Sequence, residues 1–371
     1  MRYGIVGAGY FGKEFARILR DLPDAELAAV YSTGDAADLA QEAGCRVVDS
    51  VAALVEAADA VIVASPNHVH RESAELASLA GRHVFCEKPV ALTYAECDAM
   101  VSAAERSGAL FLAGHVMHFM PGIRRAARLV AEGAIGDPVV ARTARVGWED
   151  GTAAPGWKKM RASSGGHLFH HIHELDILQH FIGPAETVSM TGGAAPQAGP
   201  RTGDEDALLL ATATFPGERY ATLEWGSVFR QPEHTITIQG TTGILHIDMQ
   251  DVGVTLRRGD DVERFPLHAS FDVDLERTRE NRAASGGSGV TYGDPSRRPP
   301  RWLRHAMRAE IEYFDGLATG SLEIDPALAA LTDGTAARAS IATAEALTRA
   351  LRLGRTVRVD EVTLPEERAA A

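Results

Sequence analysis

The hexapeptide Gly7-Ala8-Gly9-Tyr10-Phe11-Gly12 constrains this chain more than any other feature. It follows a short apolar run, Tyr3 to Val6, and opens a helical pattern from Gly12 to Asp21. Each glycine of a G-x-G-x-x-G turn has a mechanical reason. Gly7 permits the tight turn, Gly9 lets the backbone approach a pyrophosphate, and Gly12 lets helix and strand pack closely. The helix N-terminus adds free N–H groups and the positive end of its dipole. Dinucleotide binding is expected, weighed against a purely structural glycine turn.

The pattern that follows supports this. Glu26 to Tyr31, Ala60 to Ala64, His83 to Cys86 and Leu110 to Ala113 read as strands. Helical patterns separate them at Ala37 to Ala43, Val51 to Ala57, His70 to Ala80 and Tyr94 to Ser107. Continuous apolar strands between helices require a parallel sheet covered on both faces. From about Met120 the pattern changes to one amphipathic helix (Gly122 to Glu132) and a series of alternating segments. These include Val139 to Val146, Ala207 to Phe215, Tyr220 to Val228 and His234 to Ile238. Period-2 alternation joined by turn residues predicts an antiparallel sheet with one solvated face. The expected fold class is α/β: a Rossmann dinucleotide-binding domain over 1–120, then an α+β domain over 121–362 with a large, mainly antiparallel open sheet. Residues 363–371 are expected to be a tail. Residues 269–300 read as a long mobile loop, and Trp302 to Phe314 and Asp333 to Ala350 as helices.

Composition excludes several alternatives. At 371 residues two domains are expected, and 37 Lys+Arg against 50 Asp+Glu leave a net charge of −13. No basic excess is available to displace nucleic-acid counterions. Three cysteines without a CxxC pair read as reduced thiols. No targeting segment and no clean apolar stretch of about 18 residues is visible, so no membrane partner and a cytoplasmic location are expected.

The end of the second strand, where an acidic residue would bind the ribose 2′-hydroxyl of NAD, reads Ser32-Thr33-Gly34-Asp35. Ser32 fills the acidic slot with no arginine beside it, leaving NAD and NADP both open.

Two further runs are specific: Ser65-Pro66-Asn67-His68-Val69-His70 after the third apolar strand, and His83-Val84-Phe85-Cys86-Glu87-Lys88-Pro89 after the next. Gly114 to Pro121 (GHxxxFxP), Gly133 to Pro138 (GxIGDP) and a RAEIEYF helix extend the pattern. With the glycine turn, these motifs resemble the Gfo/Idh/MocA oxidoreductase family over nearly the whole chain. The resemblance implies hydride transfer between a nicotinamide and a secondary alcohol or ketone of a sugar, glycoside or cyclitol. It implies Lys88 as proton relay and Ser65, Pro66, Asn67 and Glu87 as cofactor-lining residues. Tyr10, Phe11, Ser32, Thr33 and His70 complete the candidate cofactor set. It also implies a homodimer or homotetramer formed through the C-terminal sheet. A lysine beside a cationic nicotinamide should have a lowered pKa, which suits a proton carrier near neutrality.

The family's second catalytic element matches His173 and Asp176, counted back from Gly183. The preceding aspartate position holds Phe169, so His170 is the candidate replacement. At 100° per residue, Leu168, Ile172, Leu175 and Ile182 form an apolar stripe, with His170 and His173 near the opposite side. His171 falls beside the stripe and reads as packed. Expected roles are acid/base for His173, substrate contact for His170, and fixing of the imidazole tautomer for Asp176. Trp148, Trp157, Lys158 and His118 are candidate substrate residues. No metal is expected, because the histidine spacing is not H-E-x-x-H. Two other readings remain: a glycosidase or lyase-type enzyme that oxidises a sugar transiently, and a non-catalytic nucleotide sensor on the same scaffold.

Overall fold

The structure, a computed structural model, describes residues 1–149, 156–194, 203–251, 253–285 and 297–364. It divides into two compact units, Met1–Val116 with Asp294–Arg338, and Met117–Gly293 with Ala339–Ala371.

The first unit is built on six parallel strands: β1 (Arg2–Val6), β2 (Glu26–Tyr31), β3 (Arg46–Val47), β4 (Ala60–Val63), β5 (His83–Glu87) and β6 (Phe111–Gly114). Their order is β3-β2-β1-β4-β5-β6. Every residue of β4 is fully buried, as a strand covered on both faces demands. The order reverses between β1 and β4, and dinucleotides bind at the carboxyl ends of strands at such a point. The helix Arg301–Thr319 belongs to this unit. Its Phe314 ring lies 6.4 Å from Tyr3 of β1 and 5.9 Å from Phe85 of β5, and the Tyr3 hydroxyl donates to Asp315. The expected division, with everything after residue 120 in the second domain, therefore differs from the observed one. Segment Asp294–Arg338 returns to the first unit, because its apolar face completes that core.

The second unit carries nine strands: β7 (Pro138–Trp148), β8 (Thr187–Gly193), β9 (Leu208–Phe215), β10 (Arg219–Gly226), β11 (Val228–Gly240), β12 (Ile244–Asp248), β13 (Val254–Arg258), β14 (Asp261–Phe265) and β15 (Val357–Arg358). They run in the order β14-β13-β12-β11-β7-β10-β9-β8-β15. Neighbours are antiparallel apart from the parallel pair β7 and β10. Alternation along β10 is clear: Ala221, Leu223 and Trp225 are buried, while Tyr220 is 51% exposed. The helix His173–Ile182 packs against β7.

One expectation is overturned. Residues Phe271–Ser285, expected within a mobile loop, form a helix. Polar contacts anchor it: Asp274 accepts from the backbone N–H groups of Leu267 and His268, and Thr278 donates to the Gln250 carbonyl. Residues 286–296 of that stretch, and 365–371 of the expected tail, lie outside the described residues.

Candidate active site

The glycine turn separates into two kinds of glycine. A Cβ on Gly12 would stand 1.9 Å from the Gly7 carbonyl oxygen. Gly7 has φ +107°, and its Cβ would stand 2.6 Å from the Ala64 carbonyl oxygen. Both positions are glycine because the protein itself leaves no room. Gly9 is different: it is exposed, and its Cβ would meet nothing within 4 Å. Gly9 is also the N-cap of helix Tyr10–Arg20, and no side chain caps it. Open space above uncapped helix N–H groups is what a pyrophosphate requires, so these residues fit a dinucleotide.

The remaining first-unit candidates lie as follows. Tyr10 and Phe11 are half-buried, with ring centres 5.3 Å apart edge to face. Ser32 Oγ accepts from the Gly34 N–H at 3.2 Å, and Asp35 accepts from the Ala37 N–H at 2.9 Å. Asp35 thus starts the next helix, while Thr33 is exposed. Ser65 and Pro66 are half-buried and Asn67 is buried; Ser65 Oγ has no hydrogen-bond partner among the described residues. Glu87 Oε2 accepts from the Lys88 N–H at 3.2 Å, and the Lys88–Pro89 peptide is cis.

His70 departs from its expected role. It is fully buried, and its ring nitrogens face the carbonyl oxygens of Pro89 (Nδ1, 3.0 Å) and Ser65 (Nε2, 2.9 Å). It lies behind the turns it was expected to join in lining the cofactor. Glu310, the first glutamate of RAEIEYF, is a residue the sequence reading passed over. It is fully buried with both carboxyl oxygens unbonded among the described residues. Burial, with the Glu87 charge, pushes its pKa well above the usual carboxylate range, which favours the protonated form.

In the second unit the expected continuous histidine helix is interrupted. Gly165 and Gly166 take left-handed φ values of 82° and 83°, one turn of helix runs His167–His170, and the backbone breaks at His171. The helix restarts at His173. The break frees the His171 carbonyl, and the buried Trp225 indole N–H of β10 donates to it at 3.2 Å. The rotation of 100° per residue therefore does not carry from His170 to His173. His171, expected to pack against the apolar stripe, instead lies between His167 and His170, with ring centres 4.4 and 4.8 Å away.

His173 is buried at the start of its helix, and Asp176 follows one turn later. Asp176 Oδ2 accepts from His118 Nε2 at 2.7 Å, and the His118 ring lies 4.6 Å from His180. Burial first, then the neighbouring His118, lowers the His180 pKa to about 4. Glu174 Oε1 is held by His234 Nε2 at 2.5 Å and Arg145 at 3.3 Å. Burial by itself would raise that carboxyl, but Arg145 and His234 outweigh it and hold it at about 2. Burial, helped by Lys159 and Arg145, lowers His167 to about 3. Trp157, Lys158 and His170 form a second group: the Trp157 ring centre is 6.5 Å from His170 and 5.9 Å from the Lys158 ammonium. Trp148 is stacked under the Arg230 guanidinium at 3.3 Å. Among the described residues no three His, Cys, Asp or Glu side chains are grouped to hold a metal ion.

Comparison with known proteins gives the family and the fold. Residues 1–115 match the NAD-binding Rossmann fold of the GFO_IDH_MocA oxidoreductase family, and residues 127–359 match that family's C-terminal alpha/beta domain. The chain is 43% identical over 363 residues to a 2,7-anhydro-N-acetylneuraminate hydratase of Mediterraneibacter gnavus, covering 97% of each chain. It is 40% identical to the hydratase of the same name from Escherichia coli K12, covering 98% of each. A levoglucosan dehydrogenase solved with NADH and L-sorbose shares the fold at TM-score 0.76 and 18% identity, covering 97% of this chain and 98% of that one.

Proposed function

Because this chain belongs to the Gfo/Idh/MocA family of NAD-binding oxidoreductases, we propose that it hydrates a 2,7-anhydro sugar acid of the N-acetylneuraminate type by transient oxidation. One observation carries the reading: a built dinucleotide cradle occurs in a chain similar, end to end, to two hydratases of that substrate. Adding water across an anhydro bridge changes no oxidation state, so a hydride removed from the sugar must be returned to it.

The cofactor, when bound, accepts that hydride and gives it back. Gly9 and the N–H groups of helix Tyr10–Arg20 would hold its pyrophosphate, and Ser65, Pro66, Asn67 and Glu87 would line the remainder. Lys88 takes the hydroxyl proton as the alcohol becomes a ketone. That ketone acidifies the adjacent C–H. Loss of its proton expels the bridge oxygen from the next carbon, leaving a conjugated double bond, and the freed oxygen takes up a proton as a hydroxyl. Water then adds, its oxygen bonding where the bridge left and its proton going to the neighbouring carbon. His173 and the Asp176–His118 pair supply the acid and base for these steps, and Trp157, Lys158 and His170 take the sugar acid.

The exposed sheet face supports a homo-oligomer. Val140 of β7 and Tyr220 of β10 are paired in register there, and both are substantially exposed. No helix among the described residues is long and apolar enough to cross a membrane, which supports a cytoplasmic location. The test is incubation with NAD and 2,7-anhydro-N-acetylneuraminate in ¹⁸O-labelled water. N-acetylneuraminate carrying one ¹⁸O, without net NADH, is expected. Steady NADH accumulation on a polyol panel, with no hydration, would instead make the protein a simple dehydrogenase.

A further inference from the structure

His70 has two acceptors and one proton. Its Nδ1 lies 3.0 Å from the Pro89 carbonyl oxygen and its Nε2 lies 2.9 Å from that of Ser65. A carbonyl only accepts, so each contact requires an N–H on the ring, and a neutral imidazole has one. Burial lowers the ring's affinity for a second proton by more than the carbonyls of Ser65, Pro89 and Val90 raise it. The ring therefore carries a single proton at neutral pH, and one of the two contacts is unmade at any moment.

The two carbonyls belong to different turns. Ser65 leaves the end of β4 and begins the Ser65-Pro66-Asn67 turn; Pro89 follows Lys88 at the end of β5. β4 and β5 are neighbours in the sheet, and His70 sits at the start of the helix His70–Leu79 behind both. Neither turn is fixed by sheet pairing, because Ser65 and Pro89 lie beyond the last paired residues of their strands, Val63 and Glu87. The buried His70 ring reaches both.

We propose that His70 is a positioning residue that ties the cofactor turn to the Lys88 turn, its single proton holding Ser65 in one tautomer and Pro89 in the other. This rests on the reading that these turns serve the nicotinamide and its proton relay. The tie to Pro89 fixes the backbone that presents Lys88, and the tie to Ser65 fixes the backbone that lines the cofactor. The two effects are separable by side-chain length, since an asparagine amide nitrogen takes roughly the place of Nδ1 and a glutamine one that of Nε2.

The experiment compares full-length H70N, H70Q and H70A with the parent protein. NADH affinity is read by fluorescence titration, and kcat by hydration of 2,7-anhydro-N-acetylneuraminate. H70Q keeps NADH affinity within about threefold and loses kcat at least about tenfold; H70N does the reverse; H70A loses both. If both amide variants match H70A, or both match the parent, the ring is only filling space and the proposal falls. A ¹⁵N spectrum of the parent protein's His70 ring supplies a readout free of folding defects and of substrate identity. One protonated and one bare nitrogen are expected, and two protonated nitrogens would mean a permanent imidazolium bridge and overturn the single-proton tie. If the parent protein hydrates nothing, the functional reading fails, while the NADH titrations and the ring spectrum still decide the tie.

Discussion

Asp176 accepts a hydrogen bond from the Nε2–H of His118 across 2.7 Å, and both side chains are buried. A carboxylate can only accept, so the bond places a proton on Nε2. His118 was expected to line the sugar and Asp176 to steer a histidine; the structure makes the two partners. D176N keeps the shape but loses the charge that fixes the tautomer. We expect kcat to fall by about 10- to 100-fold with NADH affinity unchanged, and stability to fall by about 1 kcal/mol. Steady-state kinetics beside a denaturant titration checks both.

Lys88 is expected to carry turnover but not binding. K88M should lower kcat by at least about 100-fold and leave the NADH dissociation constant within a few fold, because the pyrophosphate rests on the glycine turn. An ordinary kcat in K88M would remove its role as proton relay.

Gly9 and Gly12 should fail in opposite ways. G9V places its side chain in open space, so the protein should fold with an unchanged Tm and lose dinucleotide affinity. G12A puts a Cβ 1.9 Å from the Gly7 oxygen and should destabilise or abolish folding. Thermal scans with and without NADH separate the two outcomes.

Cofactor choice should be weak. Ser32 neither repels a 2′-phosphate nor offers it a positive charge, and Asp35 is occupied at the Ala37 N–H. We expect NAD and NADP to differ by less than about 100-fold in kcat/KM, and S32D to shift the ratio toward NAD by at least about tenfold. A preference above about a thousandfold in the parent protein would point to a charge elsewhere.

Acid should destabilise the second unit through two buried groups. His167 titrates at about 3 when folded against roughly 6.5 when unfolded. Its contribution is complete above pH 6.5 and fades as pH falls toward 3, because only the unfolded ring takes up the proton. Glu174, at about 2 when folded against roughly 4.3 unfolded, adds stability above that higher value that is lost as pH falls toward 2. Replacing His167 with Phe should flatten the stability slope between pH 6 and 4 by up to about 1.4 kcal/mol per pH unit. Urea midpoints at several pH values measure it, and an unchanged slope would show that His167 takes up its proton when folded.

Much of this was legible in the sequence, and the exceptions share a cause. Five of the six strands of the first sheet were readable because each carries an apolar run and the turns carry glycine for steric reasons; β3, the exposed pair Arg46–Val47, was not. The helix Phe271–Ser285 was not legible, because Asp274 holds it through the nearby N–H groups of Leu267 and His268, and Arg277 and Thr278 through the distant carbonyls of Asp251 and Gln250, rather than through an apolar stripe. The break at His171 was hidden for the same reason. Its carbonyl is satisfied by Trp225, far along the chain, and local periodicity carries no trace of that partner. His70 was placed in the cofactor set by its motif, and the structure instead buries its ring against the Ser65 and Pro89 carbonyls, a direction no motif gives.

The return of Asp294–Arg338 to the first unit also bears on synthesis. A ribosome releases β1 to β6 long before Phe314, yet Phe314 packs against both Tyr3 and Phe85. The nucleotide-binding unit therefore leaves the exit tunnel with an open seam, which closes only after all of β7 to β14 has been made. A nascent chain stalled before residue 300 should recruit holding chaperones at that seam, and a chain truncated just after β6 should not behave as an autonomous domain.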